Sequence, residues 1–389
     1  MNTFQTPEEA AKADQIRQLA TTLDSTGVTS ANPSTRSSWK QKMSLHWPPG
    51  KKEFAVIALF VVLSGLGIAT FITRQPSAPV AAVETKSKKT VQPTTVASAL
   101  SGLPVDPATN QKTVTGVMIE NSPQARPQAG LGQASVVFEA IAEGGITRFL
   151  ALFQDTAPDN IGPIRSARPY YAQWALGFDA AYAHVGGSPK ALANIKEWGV
   201  RDLDQFHNAG AYHRIGSRAA PHNMYSSIPK LNELENSKGY TSSKFTGFLR
   251  KKEAPSKAPD ARVINLNISG PMYNVRYDYN TATNSYNRSQ AGGPHTDTNT
   301  NAQISPKVVI ALVMPYSLEG DGYHSVYNTL GAGTVYIFQD GKVTTGQWAK
   351  PDNKSQFKFS DANGKIIKLN PGQTWLTAVG ATNKVTYTP

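Results

Sequence analysis

The chain has 389 residues, 39 Lys and Arg against 27 Asp and Glu for a net charge of +12, and no cysteine. A hydrophobic fraction of 39% beside a charged fraction of 17% excludes disorder throughout. The missing thiol excludes a disulfide scaffold, a thiolate zinc site, an iron–sulfur cluster, a cysteine nucleophile and a lipid anchor on cysteine.

Residues 8–24 carry acids at their start and Ile16, Leu19 and Leu23 at helical spacing, which predicts a short helix. Residues 25–42 have the Ser/Thr/Asn content of a disordered segment, so residues 1–53 read as a largely disordered cytoplasmic tail. Residues 54–73, FAVIALFVVLSGLGIATFIT, hold no charge. At ~1.5 Å per residue such a helix covers roughly 30 Å, the hydrocarbon thickness, and reads as a single transmembrane signal anchor. Arg36, Lys40, Lys42, Lys51 and Lys52 precede it, and Arg74, Lys86, Lys88 and Lys89 follow. That small bias favours the N-terminus inside and the larger part outside the cell membrane. Residues 74–99 have linker composition.

The folded part is expected to be α+β or α/β, with an α/β half over residues 100–255 and a β-rich half over residues 262–389. In the first half, strands are predicted over residues 114–119, 135–139, 147–153 and 180–185, and helices over residues 169–176 and 189–198. The second helix has Ser188 as its cap and Pro189 at its first position. In the second half, residues 273–279 and 285–289 read as a hairpin, and further strands are predicted over residues 307–315, 334–339, 343–348, 356–359 and 375–379. Asp340-Gly341 is a two-residue hairpin turn, and residues 361–364 are another turn.

The basic excess is spread out: residues 1–53 carry +2, residues 74–93 carry +3 and residues 94–389 carry +7. A nucleic-acid binder concentrates its cations in a stripe with aromatic residues between, so nucleic acid is not an expected partner. The tightest cluster, Arg250, Lys251 and Lys252 beside Lys244 and Lys257, reads as a solvated loop, with a polyanion contact as the alternative.

Chemistry concentrates in the first half. EAIAEGGITRF (139–149) sets Glu139 and Glu143 before a Gly-Gly turn and Arg148 after it. GPIRSARPYY (162–171) puts Arg165 and Arg168 just ahead of a helix, where free N–H groups add to an anion site. AHVGGSP (183–189) ends a strand on His184, and HRIGSRAAPHN (213–223) supplies Arg218, His222 and Asn223. Each has a bland reading, as a hairpin turn, an internal ion pair or a hydrogen-bonded histidine. No Walker loop, dinucleotide fingerprint, GxSxG elbow or HExxH spacing occurs. His184, Asp202, Asp204, His213 and His222 could still gather in space, but neither a metal nor a cofactor is expected. Asp202 and Asp204 are expected on opposite strand faces, against an acid pair sharing one site. His295 and Asp297 in GPHTD read as loop capping.

These strings together resemble a bacterial family, the YerB-like lipoproteins, whose members carry the DUF3048 domain of unknown function and its C-terminal domain. The likeness rests on EGGITRF at 143–149, IGPIRSARPYY at 161–171, AHVGGSP at 183–189, DLDQF at 202–206, APHNMY at 220–225, GPHTD at 293–297 and LNPGQTW at 369–375. It implies an envelope protein with an α/β first part and a β-rich second part, and no established reaction. This chain departs from the family where members use a lipid-modified cysteine.

The first functional expectation is a membrane-anchored envelope protein that holds an anionic wall polymer, a glycan or another envelope protein. Arg148, Arg165, Arg168, Arg218, His222 and Asn223 would bind, and Glu139 and Glu143 would order the arginines. The alternative is an envelope hydrolase acting on wall glycan or phosphodiester bonds, with Glu143 as acid or base and His184 or His222 moving the proton. A third reading is an adhesion or assembly module built on the β-rich half.

Overall fold

The computed structural model of the protein describes residues 94–389. The expected tail, the apolar stretch at 54–73 and nearly all of the linker lie outside the described residues. Among the described residues no helix is long and apolar enough to cross a membrane.

The fold is mostly sheet with few helices. The first half supplies β1 (Thr115–Glu120), β2 (Val136–Glu143), β3 (Ile146–Phe153), β4 (Ala181–His184) and β5 (Arg201–Asp204). Its helices are α1 (Pro169–Leu176), α2 (Pro189–Trp198) and α3 (Ile228–Ser237). The first two have the expected bounds, because each carries Pro at its first position. Ser188 Oγ also accepts the Ala191 N–H at 3.3 Å. Helix α3 was not anticipated. Its polar sequence buries only Ile228, Leu231 and Glu235, a narrow stripe at i, i+3 and i+7.

The second half supplies β6 (Val263–Leu266), β7 (Val275–Asn280), β8 (Ser285–Gln290), β9 (Gly293–Pro294), β10 (Val308–Val313), β11 (Gly331–Gln339), β12 (Lys342–Lys350), β13 (Lys358–Asp361), β14 (Thr374–Val379) and β15 (Val385–Thr388). Asp340 (φ 58°) and Gly341 (φ 72°) make the turn between β11 and β12, with Gln339 opposite Lys342. Two positive φ values define the hairpin turn that Asp-Gly favours.

The two halves share one ten-stranded sheet, in the order β13-β12-β11-β10-β14-β2-β3-β1-β4-β5. The join is parallel: β14 of the second half lies between β10 and β2, with Leu376 level with Phe138. Strands β10, β14, β2, β1, β4 and β5 all run one way. A second sheet, β9-β8-β7-β6-β15, is antiparallel throughout.

Side chains alternate across a sheet. On one face Phe138 stacks on Trp174 of α1, with centroids 5.2 Å apart. On the other, Phe149 and Trp375 meet edge to face at 5.4 Å, and Arg288 of the second sheet packs against both and against the Tyr277 ring of its own sheet. The ten-stranded sheet is therefore a central layer, covered on one side by α1 and on the other by the second sheet. Polar residues gather at its carboxyl end, where open α/β sheets bind ligands.

Candidate functional site

Strands β1 and β4 pair only over their first residues, and a short extended segment enters the gap between their carboxyl ends. Arg165 N–H donates to Met118 O at 3.0 Å, Val185 N–H donates to Arg165 O at 3.0 Å, and Ala167 N–H donates to Gly186 O at 2.9 Å. The glycine of GPIR makes the entry possible. At Gly162 (φ +155°) a Cβ would come within 2.7 Å of the Tyr225 ring and 2.9 Å of Met224 O. This wedge delivers Arg165 and Arg168 to the α1 face of the sheet.

The inner part of the cluster is closed. Arg148 Nη2 donates to one oxygen of Glu143 and Arg168 Nη2 to the other. Arg148 Nη1 also reaches Ser166 O at 3.1 Å, and Arg168 Nη1 reaches Ala167 O at 2.7 Å. All three side chains are buried. Burial pulls the Arg148 guanidinium below its usual range; Glu143 opposes the shift, while Arg168 and Arg165 add to it. The Nε atoms of Arg148 and Arg168 are buried without a hydrogen-bond partner. The hairpin of Tyr316–Leu318 and Ser325–Tyr327 covers this end, with Gly144 N–H donating to Tyr323 O at 3.2 Å.

The outer part is open and centres on Glu120, which the sequence reading passed over. Its Oε1 accepts the Ser122 hydroxyl at 2.8 Å and lies 2.8 Å from His222 Nδ1 and 3.4 Å from Arg165 Nε. Its Oε2 is buried with no hydrogen bond. The Arg165 side chain is 25% exposed and that of His222 is 23% exposed. The Arg165 side chain donates no hydrogen bond to another described residue, and His222 Nε2 is likewise unused. Ser122 Oγ lies 3.2 Å from the same Nδ1 that meets Glu120. A serine–histidine–acid relay needs the hydroxyl and the acid on different ring nitrogens, so this trio does not form one.

The remaining candidates fall elsewhere. Arg218 spends its Nη2 on Pro127 O at 2.6 Å. Asn223 is tied into its own hairpin, accepting from Arg214 Nη1 at 2.6 Å. Glu139 lies on the opposite face from Glu143 and orders none of the three wedge-side arginines. It receives Arg288 Nη2 at 3.0 and 2.9 Å, Trp375 Nε1 at 3.1 Å and Thr147 Oγ1 at 3.2 Å. Arg288 Nη1 donates to His295 Nδ1, so His295 Nε2 donates to Gln128 Oε1 at 2.8 Å. Burial, then the Arg288 and Arg126 charges, hold His295 well below the usual histidine range, which fixes this neutral tautomer.

His184 is fully buried, with Nε2 3.0 Å from Asp202 Oδ1 and Nδ1 2.8 Å from Gly186 O. Neither nitrogen is left for a substrate. Asp204 Oδ1 lies 3.8 Å from the same ring and accepts Gly186 N–H at 2.8 Å. The expectation of opposite faces for Asp202 and Asp204 is thus overturned, since strand residues two apart share a face. Burial pushes the Asp202 carboxyl up, but the His184 hydrogen bond and charge outweigh it and leave it lowered. Histidines 184, 213 and 222 do not gather with Asp202 and Asp204 into a metal-binding group. Among the described residues the side chains close enough to share a cation are Glu319, Asp321 and His324, at the tip of the covering hairpin.

A model of the "Protein of unknown function (DUF3048) N-terminal domain" matches residues 100–241, and one of the corresponding C-terminal domain matches residues 264–376. "Putative lipoprotein YerB" of Bacillus subtilis strain 168 is 30% identical over 286 residues, covering 72% of this chain and 85% of that protein. A crystal structure of YerB protein from Bacillus subtilis superposes with a TM-score of 0.68 at 27% identity, covering 76% of this chain and 100% of that one.

Proposed function

The chain belongs to the DUF3048 family, and from that premise we propose an envelope protein that binds an anionic ligand through Arg165 and His222. The carrying observation is Arg165. It is a part-exposed guanidinium on a rigid wedge, oriented by Glu120, with its terminal donors unspent. His222 Nε2 opens beside it, and Arg148 and Arg168 add positive charge from behind. A carboxylate or phosphate suits such a fork. Wall polymers and their fragments supply both groups.

The Bacillus subtilis relative bears the name "Putative lipoprotein YerB". This chain has no cysteine to carry a lipid, and the apolar stretch at residues 54–73 is the tether that replaces it. In this reading the N-terminus is cytoplasmic and residues 94–389 are extracytoplasmic. A hydrolase has less support, because both Glu143 oxygens and both His184 nitrogens are engaged.

The test is calorimetric titration of the full-length chain with poly(glycerol phosphate) and with muropeptides, followed by product analysis. Arg165→Ala should weaken binding about tenfold, the value of one hydrogen bond to a charged group. Binding should fall further as salt rises. Wild-type affinity in Arg165→Ala refutes the assignment, and a cleaved product turns it towards the hydrolase.

A further inference from the structure

A second site lies well away from the arginine cluster, between the segment that follows α3 and edge strand β13. It is a groove of about 560 Å³. Phe245, Phe248, Leu249, Phe359, Ile366 and Ile367 line it, and Lys244, Lys354 and Lys358 stand among them. Leu249 is 52% exposed and Ile366 43% exposed. The three lysines are exposed and make no ion pair among the described residues, and no acidic residue lines the groove. The neighbouring acids are engaged elsewhere: Asp179 Oδ2 accepts Lys244 N–H at 2.8 Å and pairs with Arg201 at 2.9 Å, Asp352 accepts Lys354 and Ser355 N–H, and Asp361 accepts Asn363 and Lys365 N–H.

We propose that this groove takes the anionic headgroup and proximal acyl chain of a membrane phospholipid. Charge complementarity sets the ligand's sign. Three unpaired ammonium groups around an apolar floor match a phosphate attached to a hydrocarbon chain, and neither a free anion nor a neutral amphiphile uses both. The position of the chain agrees. The groove wall at Gly247 is where the first described residues dock. At Gly247 (φ +72°) a Cβ would sit 2.0 Å from Ala99 O, so glycine alone lets the two backbones meet. Arg250 Nη2 adds a hydrogen bond to Leu100 O at 2.5 Å. Thr94, the first described residue, follows the apolar stretch at residues 54–73 by roughly twenty residues, so this inference rests on the proposed tether, which keeps the groove within linker reach of a bilayer.

The full-length chain in nonionic detergent is titrated with dihexanoyl-phosphatidylglycerol below its micelle concentration. Dihexanoyl-phosphatidylcholine and glycerol phosphate are the comparisons, and hydrogen exchange over residues 244–249 and 354–367 is the readout. Protection of both segments by phosphatidylglycerol is expected, with at least tenfold weaker binding of the other two. Lys244→Gln with Lys354→Gln and Lys358→Gln should weaken phosphatidylglycerol binding about tenfold. Ile366→Asp, at an exposed position, should weaken it similarly with the lysines intact. Equal binding of phosphatidylcholine, or an unaffected lysine variant, overturns the headgroup assignment. Equal binding of glycerol phosphate, or an unaffected Ile366→Asp, overturns the acyl-chain assignment.

Discussion

Replacing Arg288 by Met strands a carboxylate where no water reaches it. Glu139 and Arg288 are both fully buried and tie the central sheet to the second sheet. Glu139 would keep only the Trp375 and Thr147 donors, and Arg288 would no longer lie 4.6 Å above the Trp375 ring. Breaking a buried pair from one side costs about 3–5 kcal/mol, a large share of the ~5–15 kcal/mol that holds a domain folded. At about 2–4 °C per kcal/mol for a chain of this size, melting should fall by roughly 6–20 °C. Urea unfolding of the full-length chain, followed by tryptophan fluorescence, measures the loss at unchanged m. Glu139→Gln alone and combined with Arg288→Met completes the cycle. Gln still accepts from Trp375 but strands no charge, so a coupling of about 2 kcal/mol or more is expected. A loss under about 1 kcal/mol for Arg288→Met, or strictly additive variants, would refute the reasoning.

Two further expectations concern pH. Burial pushes the Glu235 carboxyl up to about 7, with the Thr115 hydrogen bond and Arg201 opposing. Its folded value is raised, so the stability it allows is present at pH 4 and lost as pH rises through 7. Glu235→Gln should then stabilise the protein by up to about 3 kcal/mol at pH 8 and by little at pH 4; equal effects at both pH values would count against it. His295 has the opposite sign of dependence, because its depressed folded value lets only the unfolded chain take up a proton near pH 6.5. Relative to His295→Gln, the native protein should lose about 1.3 kcal/mol between pH 7 and pH 5.5, and parallel pH profiles for the two would rule this out.

What the sequence disclosed was local. Helices α1 and α2 and the turn at Asp340 were readable because proline, a capping serine and a positive φ act within a few residues. The division of the arginine cluster was not. Glu139 and Glu143 are four apart and would share a face on a regular strand. The register shift between Ile141 and Glu143 moves the second to the other side. Glu120 carried no signal, since its partner His222 lies 102 positions away. The shared sheet was hidden for the same reason. Strands β14 and β2 are buried throughout, and such strands give apolar runs that do not name their neighbour.

The parallel join also dictates an order of events. Trp375 and Glu139 are 236 positions apart in the chain. Until residues 374–379 have emerged, β2 has a neighbour on one side only, and its other edge of backbone donors and acceptors stays open. Long-range parallel pairing is slow to form, and an unpaired apolar edge invites adhesion to other nascent chains. A copy truncated before residue 374 should therefore be sticky during synthesis, whichever part of the polypeptide carries the binding site. The closing strand thus makes completion of the sheet conditional on synthesis having passed residue 379.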